Sequence, residues 1–204
     1  MSVQALSRLT FVLICLTLAS CTMVKEKTSL EPVGWQEQQE QRQQIKIWEV
    51  RGRLGVQTQT TGGSMDLIWK QSGEDYKIRL ILPLGSGSYL IQGNQQYADI
   101  RYPDGQKKSV RNIDNVFSSI LGVSLPVNAI RDWVRGLPAR SLSVEEMHWN
   151  DQGLLNTVQQ SGWAVEMTSY SGGGILWPHD IYLSHSDDEN LDIRLLLKQW
   201  LIVN

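Results

Sequence analysis

Apolar and polar residues alternate along most of the chain, and this alternation predicts strands with one buried face. Eight stretches show it clearly: SMDLIWKQ, YKIRLIL, YADIRY, LSVEEMHW, LLNTVQQ, GWAVEMTSY, DIYLSH and NLDIRLLLKQWLIV. With the weaker runs they predict about ten or eleven short strands. Short turns join consecutive strands, among them PDG at 103–105, so the pairing should be antiparallel and sequential.

Three stretches have the character of helices instead. NIDNVFSSILG repeats its apolar residues at helical spacing over 113–121, and Gly122 follows as a stop. LPVNAIRDWVRGLP predicts a second helix, with Pro126 in its first turn and Gly136 at its end. WQEQQEQRQQIKIW is rich in helix formers and predicts an N-terminal helix that leads into the first strand near Ile45.

These elements predict a mostly β fold, a curled antiparallel sheet with two helices over its open side. Curling is expected because flat sheets seldom exceed about 10 strands. The residues that the pattern directs inwards are Met65, Leu67, Trp69, Tyr76, Ile78, Leu80, Leu82, Tyr89 and Ile91 from the strands, and Phe117, Ile120, Ile130 and Trp133 from the helices. The pattern leaves open whether this interior is packed solid or holds a cavity.

One turn contains a residue that turns do not ordinarily use. In ILPLGSGSYL, at 81–90, Leu84 lies between Pro83 and Gly85. Turns are built mainly from Gly, Pro, Asn, Asp and Ser, each for a backbone reason that Leu lacks. The pattern alone allows two interpretations: Leu84 protrudes as an apolar tip, or it folds back onto the core as a plug.

The start of the chain predicts a secreted, lipid-anchored protein. Arg8 precedes an apolar run over 9–18, which is typical of a signal peptide and too short for a membrane span of about 20 residues. The run ends in LASC, and small residues directly before Cys21 resemble the bacterial lipobox. In such signals the peptide is cut before the Cys, which receives a diacylglyceryl group. The alternative is a plain signal peptide with a chance Cys.

We therefore expect three parts: a signal peptide at 1–20, a lipidated tether at 21–34 and one domain at 35–204. Two or more acyl chains on Cys21 would give durable membrane anchoring. Thr22 stands where an Asp would favour inner-membrane retention, so the outer membrane is the expected location. The polar tether would allow the domain to stand away from the bilayer and return to it.

Charge and composition point away from catalysis and nucleic acid. The formal net charge is −2, the basic residues are dispersed, and the sequence shows no basic patch of the kind that nucleic-acid binding needs. The three His residues lack metal-ligand spacing, and HSDDEN lacks the spacing of a calcium loop. GSGSYL leads into a strand, so no dinucleotide site is expected. Cys15 would leave with the signal and Cys21 would carry lipid, so no thiol remains for chemistry.

Several of these stretches, in this order, resemble the LolB family of outer-membrane lipoprotein receptors. They are the lipobox, an early Trp before RGRLGV, LILPLGSGSYLIQG, LPVNAIRDWVRGLP and QQSGWAVEMTSY, and they cover essentially the whole domain. The chain departs from the family pattern at Trp177 and Pro178, where a Leu-Pro pair is common.

The resemblance implies a fold and a function. The fold would be a half-open, curled antiparallel barrel of about eleven strands with a helical lid. The protein would accept lipoproteins from the periplasmic carrier LolA and insert their acyl chains into the inner leaflet of the outer membrane. It would act as a monomer facing the periplasm, without nucleic acid, cofactor, metal or enzymatic activity.

The resemblance also assigns roles to residues. Pro83, Leu84 and Gly85 would form a membrane-insertion loop with Leu84 protruding. The residues of the acyl cavity would be Met65, Leu67, Trp69, Ile78, Leu80, Leu82, Tyr89, Ile91, Phe117, Ile120, Ile130 and Trp133. An apolar stripe of this kind is also typical of a plain core.

Three other functions stay open on the sequence alone. A general lipid- or glycan-binding outer-membrane lipoprotein without a sorting role would share the barrel and the anchor but would not need an exposed Leu84. A periplasmic enzyme would need a convergent polar cluster, for instance around Glu145, His148 and Asp180. A structural tether in the envelope would have a solid core.

Overall fold

The computed structural model describes residues 30–111 and 114–203, which form three α-helices and eleven strands. The helices are α1 (Trp35–Gln44), α2 (Asp114–Leu121) and α3 (Val127–Trp133). The strands are β1 (Ile47–Gln57), β2 (Gly62–Ser72), β3 (Asp75–Ile81), β4 (Ser88–Gly93), β5 (Ala98–Arg101), β6 (Lys107–Val110), β7 (Val144–Trp149), β8 (Leu155–Gln160), β9 (Trp163–Thr168), β10 (Asp180–His185) and β11 (Asp188–Ile202). Among the described residues, no helix is long and apolar enough to cross a bilayer.

The eleven strands form one antiparallel sheet in the order β6-β5-β4-β3-β2-β1-β11-β10-β9-β8-β7. Neighbours in the sheet are neighbours in the chain, except that β1 pairs with β11 and so joins the two halves. The edges are β6 and β7, which do not pair with each other, so the sheet is open on that side. The helices α2 and α3 connect β6 to β7. This confirms the predicted half-open antiparallel sheet with a helical insert after the sixth strand.

The alternation in the sequence is the alternation of burial in the structure. Strand β2 buries Met65, Leu67 and Trp69, whereas Asp66 between them is exposed and Ile68 half-buried, as its period of two requires. The inward residues of all the long strands join with those of α2 and α3 in one apolar core. The inner face of the sheet is therefore the face that the helices cover.

The pairing of β1 with β11 contains an irregularity that the RGRLGV stretch accommodates. The register shifts between Arg51 and Gly52, where the backbone of β11 approaches closely. A Cβ atom on Gly52 would lie 2.0 Å from the carbonyl oxygen of Leu196. Only glycine fits there without moving the partner strand.

Helix α1 packs on the structure through two residues despite its polar sequence. Trp35 contacts Trp149 edge to face, with ring centroids 5.9 Å apart. Arg42 is buried and donates to the carbonyl oxygen of Leu176 at 2.7 Å. Just before the helix, Leu30 and Val33 of the expected tether are exposed. The expected signal peptide and Cys21 lie outside the described residues, as does Ile113 of the predicted first lid helix.

Candidate functional site

The β3–β4 turn presents Leu84 to solvent. Pro83–Gly85 form a single turn of 3-10 helix, and the side chain of Leu84 is fully exposed, at 102% of its reference area. The amide of Leu82 donates to the carbonyl oxygen of Gly87 at 3.0 Å, which closes the loop at its base. The structure thus places the turn leucine at a protruding tip rather than against the core.

The backbone at this tip is left-handed, which leucine seldom adopts. Leu84 has φ 56° and ψ 27°. A residue with a Cβ pays a steric penalty there that glycine does not. Gly87, with φ 102°, lies close to the β5–β6 turn. A Cβ on this residue would lie 2.8 Å from the Cβ of Pro103. The contact with Pro103 therefore supports the loop, and the Leu84 side chain points outward despite the steric strain of its backbone.

A wide cleft begins directly beside this turn. Its volume is about 680 Å³. It lies between the β1–β2 turn, the start of β4 and the C-terminal end of α2. Of the predicted cavity residues, it is lined by Met65, Leu82, Tyr89 and Ile120, together with Pro83 of the turn.

The space between the sheet and the helices is apolar but nearly closed. Its volume is about 20 Å³, roughly room for one water molecule. Six predicted cavity residues line it: Leu67, Trp69, Ile78, Leu80, Phe117 and Ile130. Ile91 and Trp133 are fully buried but line neither space. In this conformation the interior is a packed core with its cleft at one end.

Half of the residues around this interior were not among the predicted cavity residues. They are Leu54, Leu125, Val127, Leu183, Ile193 and Leu195. The alternation in β11 and the helical spacing in LPVNAI contained the signal for Ile193, Leu195 and Val127. The position of β11 beside β1, which brings the C-terminal strand to the centre, had no signal in the sequence.

A buried glutamine fixes helix α3 to the sheet. Gln160 on β8 accepts from the indole N–H of Trp133 at 2.9 Å and from the amide of Ala139 at 2.8 Å. Its side-chain amide donates to the carbonyl oxygens of Ala139 and Leu142. Three of the four bonds are buried and the one to Leu142 is partly buried, so together they hold the end of α3 and the loop after it in one position.

A buried ion pair adds to this anchor. Asp132 and Arg135 bond to each other, and Arg135 also donates to the carbonyl oxygens of Arg42 and Ile45 at the end of α1. Burial lowers the pKa of Arg135, and the adjacent Asp132 opposes that effect. Arg131 reaches Glu74 in the β2–β3 turn at 2.9 Å. Helix α3 is therefore tied to α1 and to the sheet through polar contacts.

Helix α2 contributes apolar side chains to the interior. Val116 and Phe117 are buried and Ile120 is half-buried. At its start, the Asp114 carboxylate accepts from the amide of Val127 at 2.9 Å, which links the first turns of the two helices. Burial raises the pKa of this carboxyl, and the hydrogen bond from Val127 opposes the rise.

The polar side chains that an enzyme or a metal site would need are not clustered among the described residues. No group of three or more His, Cys, Asp or Glu side chains there is arranged to hold a metal ion. His148 bonds Glu146 on the edge strand, whereas Asp180 pairs with Arg194 on the outer face. The cluster that an enzyme was predicted to need is therefore not formed around Glu145, His148 and Asp180.

Comparison with known proteins shows the family of the chain. The family model described as outer membrane lipoprotein LolB matches residues 46–200. The chain belongs to the LolB family. The match extends from the end of α1 to the end of β11 and so includes the Leu84 turn, the cleft and both lid helices.

Full-length relatives carry the same name. The outer-membrane lipoprotein LolB of Nitrosococcus oceani is 32% identical over 95% of this chain and 96% of its own length. That of Alkalilimnicola ehrlichii is 28% identical over 92% of this chain and 93% of its own. The similarity to named LolB proteins thus spans nearly the whole sequence.

Among solved structures, a LolA superfamily protein from Nitrosomonas europaea has a similar fold. The TM-score is 0.53, with 7% sequence identity, over 85% of this chain and 95% of that one. At this identity the comparison bears on the fold alone. It supports the open, eleven-stranded sheet of this LolB-family chain as an architecture found in solved proteins.

Proposed function

We propose that this protein is an outer-membrane lipoprotein receptor, which accepts lipoproteins from the periplasmic carrier LolA and inserts their acyl chains into the inner leaflet of the outer membrane. The observation that carries the proposal is Leu84, a fully exposed leucine in a strained backbone conformation beside a large cleft. Family membership supports the role in lipoprotein localisation. The role is non-catalytic and needs no cofactor.

The transfer free energy of one leucine side chain is of a suitable size for a membrane contact. Transferring one leucine side chain from water into lipid contributes about 1.5–3 kcal/mol. That is too little to anchor a protein but enough to bias which end meets the bilayer. Leu84 would therefore direct the cleft toward the membrane, and acyl chains would leave the protein next to the leaflet that receives them.

The anchor would be the lipid on Cys21, at the start of a tether over 21–34 that follows a signal peptide at 1–20. A tether keeps the local membrane concentration high, so a weak contact at Leu84 suffices for repeated encounters. The domain at 35–204 would face the periplasm.

Acyl chains would bind in the interior between the sheet and the lid helices, which six of the predicted cavity residues line, and in the cleft beside it, which four others line. A volume of about 20 Å³ is far below the 300 Å³ or more of typical ligand sites, so the interior must open to accept a chain. Because α3 is held by Gln160 and Arg135, the part expected to move is α2.

The experiment follows cargo in two steps with a soluble chain that starts at Thr22. A labelled lipoprotein is loaded on the carrier, its transfer to the receptor is measured, and liposomes are then added. Wild type is compared with Leu84→Glu and with Leu201→Glu, the same change at an exposed leucine at the end of β11. We expect all three to take cargo and only Leu84→Glu to fail in delivery.

Two outcomes would contradict the proposal in different ways. If wild type takes no cargo from the carrier, the receptor function is wrong, and a general lipid- or glycan-binding role becomes the better explanation. If Leu84→Glu delivers cargo at the wild-type rate, the receptor function stands but the membrane role of Leu84 is wrong.

A further inference from the structure

A row of basic side chains crosses the outer face of the sheet close to Leu84. Arg79 on β3 pairs with Leu90 on β4, Leu90 pairs with Arg101 on β5, and Arg101 pairs with Lys107 on β6. Cross-strand partners point to the same face, and this face is the outer one, because Leu80, Ile91 and Ile100 beside the row are buried. The row lies two residues, or about 7 Å, from the end of the β3–β4 hairpin.

The two arginines of this row differ from the other strand arginines in their partners. Arg51, Arg53 and Arg194 each form an ion pair with a nearby Glu or Asp. Within the part of the chain that the structure describes, neither Arg79 nor Arg101 has a carboxylate within 4.0 Å; Arg79 donates to the hydroxyl of Ser88 instead. Their charges are therefore available to an external anion.

The charges of the protein are unevenly distributed, and the row lies in the basic part of the chain. Residues 76–111 contain six basic residues, Lys77, Arg79, Arg101, Lys107, Lys108 and Arg111, against Asp99 and Asp104. Residues 141–193 contain no Lys or Arg and the acidic residues Glu145, Glu146, Asp151, Glu166, Asp180, Asp187, Asp188, Glu189 and Asp192. Asp99 and Asp104 each accept a hydrogen bond within the protein, from the hydroxyl of Ser109 and from the amide of Gln106.

We propose that the outer face of β3–β5 beside Leu84 binds the headgroups of anionic phospholipids through Arg79 and Arg101. This deepens the proposed function and rests on Leu84 meeting the membrane. With the leucine tip among the acyl chains, a basic row several ångströms behind it lies at the depth of the phosphates. Guanidinium groups bind phosphate oxygens in a bidentate manner, which suits them to this contact.

The neighbouring side chains favour a lipid surface over an acidic protein surface. Ile81 and Leu90 also point outward and are half-buried, so apolar residues alternate with the arginines up to the tip. A bilayer interface offers both an apolar layer and a charged layer at these spacings. The pair of headgroup and tip contacts would fix two points of the domain, and so set the orientation in which the cleft faces the bilayer.

The test measures binding of the soluble chain from Thr22, which keeps every described residue, to vesicles. One set contains phosphatidylcholine alone and the other contains phosphatidylcholine with phosphatidylglycerol. The variant is Arg79→Gln with Arg101→Gln. The control is Lys46→Gln with Lys198→Gln, which removes the same charge at exposed residues elsewhere. Wild type should prefer anionic vesicles, and the variant should lose roughly 30-fold in affinity for them at low salt, about fivefold per side chain.

The control should retain the wild-type preference, and binding to neutral vesicles should be equal in all three proteins. The proposal is wrong if wild type shows no preference, or if variant and control lose affinity equally. It is also wrong if the variant keeps the lipid preference but takes less cargo from the carrier, because the row would then be a protein-docking surface. Lipid preference in a wild type that takes no cargo would overturn the receptor function while supporting this inference.

Discussion

Leu84 occupies a backbone position that favours glycine, yet it carries an exposed apolar side chain. The left-handed conformation costs a non-glycine residue on the order of 1–2 kcal/mol. The exposed side chain does not offset this cost, because it makes no hydrophobic contribution to folding while it remains in water. Selection for folding alone would not favour leucine here, and the proposed membrane contact would account for it.

We expect Leu84→Gly to separate stability from function. Glycine relieves the left-handed strain but increases the freedom of the unfolded chain by roughly 0.5–1 kcal/mol, so stability should be unchanged or slightly higher. Delivery of cargo to liposomes should fall as strongly as in Leu84→Glu. Urea denaturation and the delivery assay measure the two effects. A variant that is clearly less stable would show that Leu84 contributes to the core after all.

Asp114 gives a pH dependence of known sign. Burial raises the pKa of its carboxyl, so the folded state holds the proton more tightly than the unfolded state. Stability from this group is therefore present below the unfolded pKa of about 4 and decreases as the pH rises through the folded pKa. Asp114→Asn keeps an oxygen acceptor for Val127 and removes the charge. We expect Asp114→Asn to be more stable than wild type at pH 7 and to lack the decrease in stability with rising pH. Urea denaturation at several pH values measures both effects.

Glu74 provides the opposite case as a control. The hydrogen bond from Arg131 lowers the pKa of its carboxyl, so its contribution is present above the unfolded pKa and is lost as the pH falls through the folded pKa. Glu74→Gln should therefore be less stable than wild type at pH 7 and converge with it in acid. Equal effects of the two substitutions at pH 7 would contradict both assignments.

At the scale of elements, the polar contacts of α3 hold it to the sheet and to α1, and we expect α2 to be the part of the lid that moves. Replacing Gln160 by Leu would leave the Trp133 indole, the Ala139 amide and two carbonyl groups without their buried partner. Each unsatisfied buried group costs about 1–3 kcal/mol, so with four such groups we expect a loss of at least roughly 4 kcal/mol in the free energy of unfolding.

Gln159→Leu is the matched control for this change, since Gln159 is the exposed neighbour on the same strand. It should alter stability by less than about 0.5 kcal/mol. Denaturation followed by tryptophan fluorescence reports both, because Trp133 is within the network. A small effect of Gln160→Leu would mean that apolar packing alone positions α3.

The elements were largely predictable because their signals are local. The alternation in SMDLIWKQ fixed which side of β2 is buried, and the helical spacing in DNVFSSIL predicted α2. The anchors of α3 were not predictable, because Gln160 is distant in the chain from Trp133. In addition, nothing in the sequence distinguishes a buried glutamine from an exposed one. The helix also ends at Trp133, three residues before Gly136, where the sequence predicted its end.

At the scale of the whole molecule, features that depend on strand order lay beyond the sequence. The basic residues look dispersed along the chain, but antiparallel pairing brings Arg79, Arg101 and Lys107 into one row. The size of the interior depends on how far α2 sinks onto the sheet, and no periodicity encodes that distance. The exposure of Leu84 was left open by the pattern itself and followed only from the family resemblance.

The closed interior makes a kinetic prediction about the molecule as a whole. If acyl chains enter only after α2 lifts, the observed binding rate of a fluorescent fatty acid should reach a plateau at high ligand concentration, set by the opening step. Phe117 packs α2 against the interior, so Phe117→Ala destabilises the closed state more than the open one. A barrier to opening that is about 1.4 kcal/mol lower would raise the plateau roughly tenfold.

Ile100→Ala controls for general loosening, since Ile100 is equally buried on β5 but does not line the interior. It should lower stability and leave the plateau within about twofold of wild type, because Ile100 does not line the space that opens when α2 lifts. Stopped-flow fluorescence measures the rates in all three proteins. A rate that increases linearly with ligand, without a plateau, would mean that the interior is already accessible, and acyl chains would then enter through the cleft beside Leu84 without movement of α2.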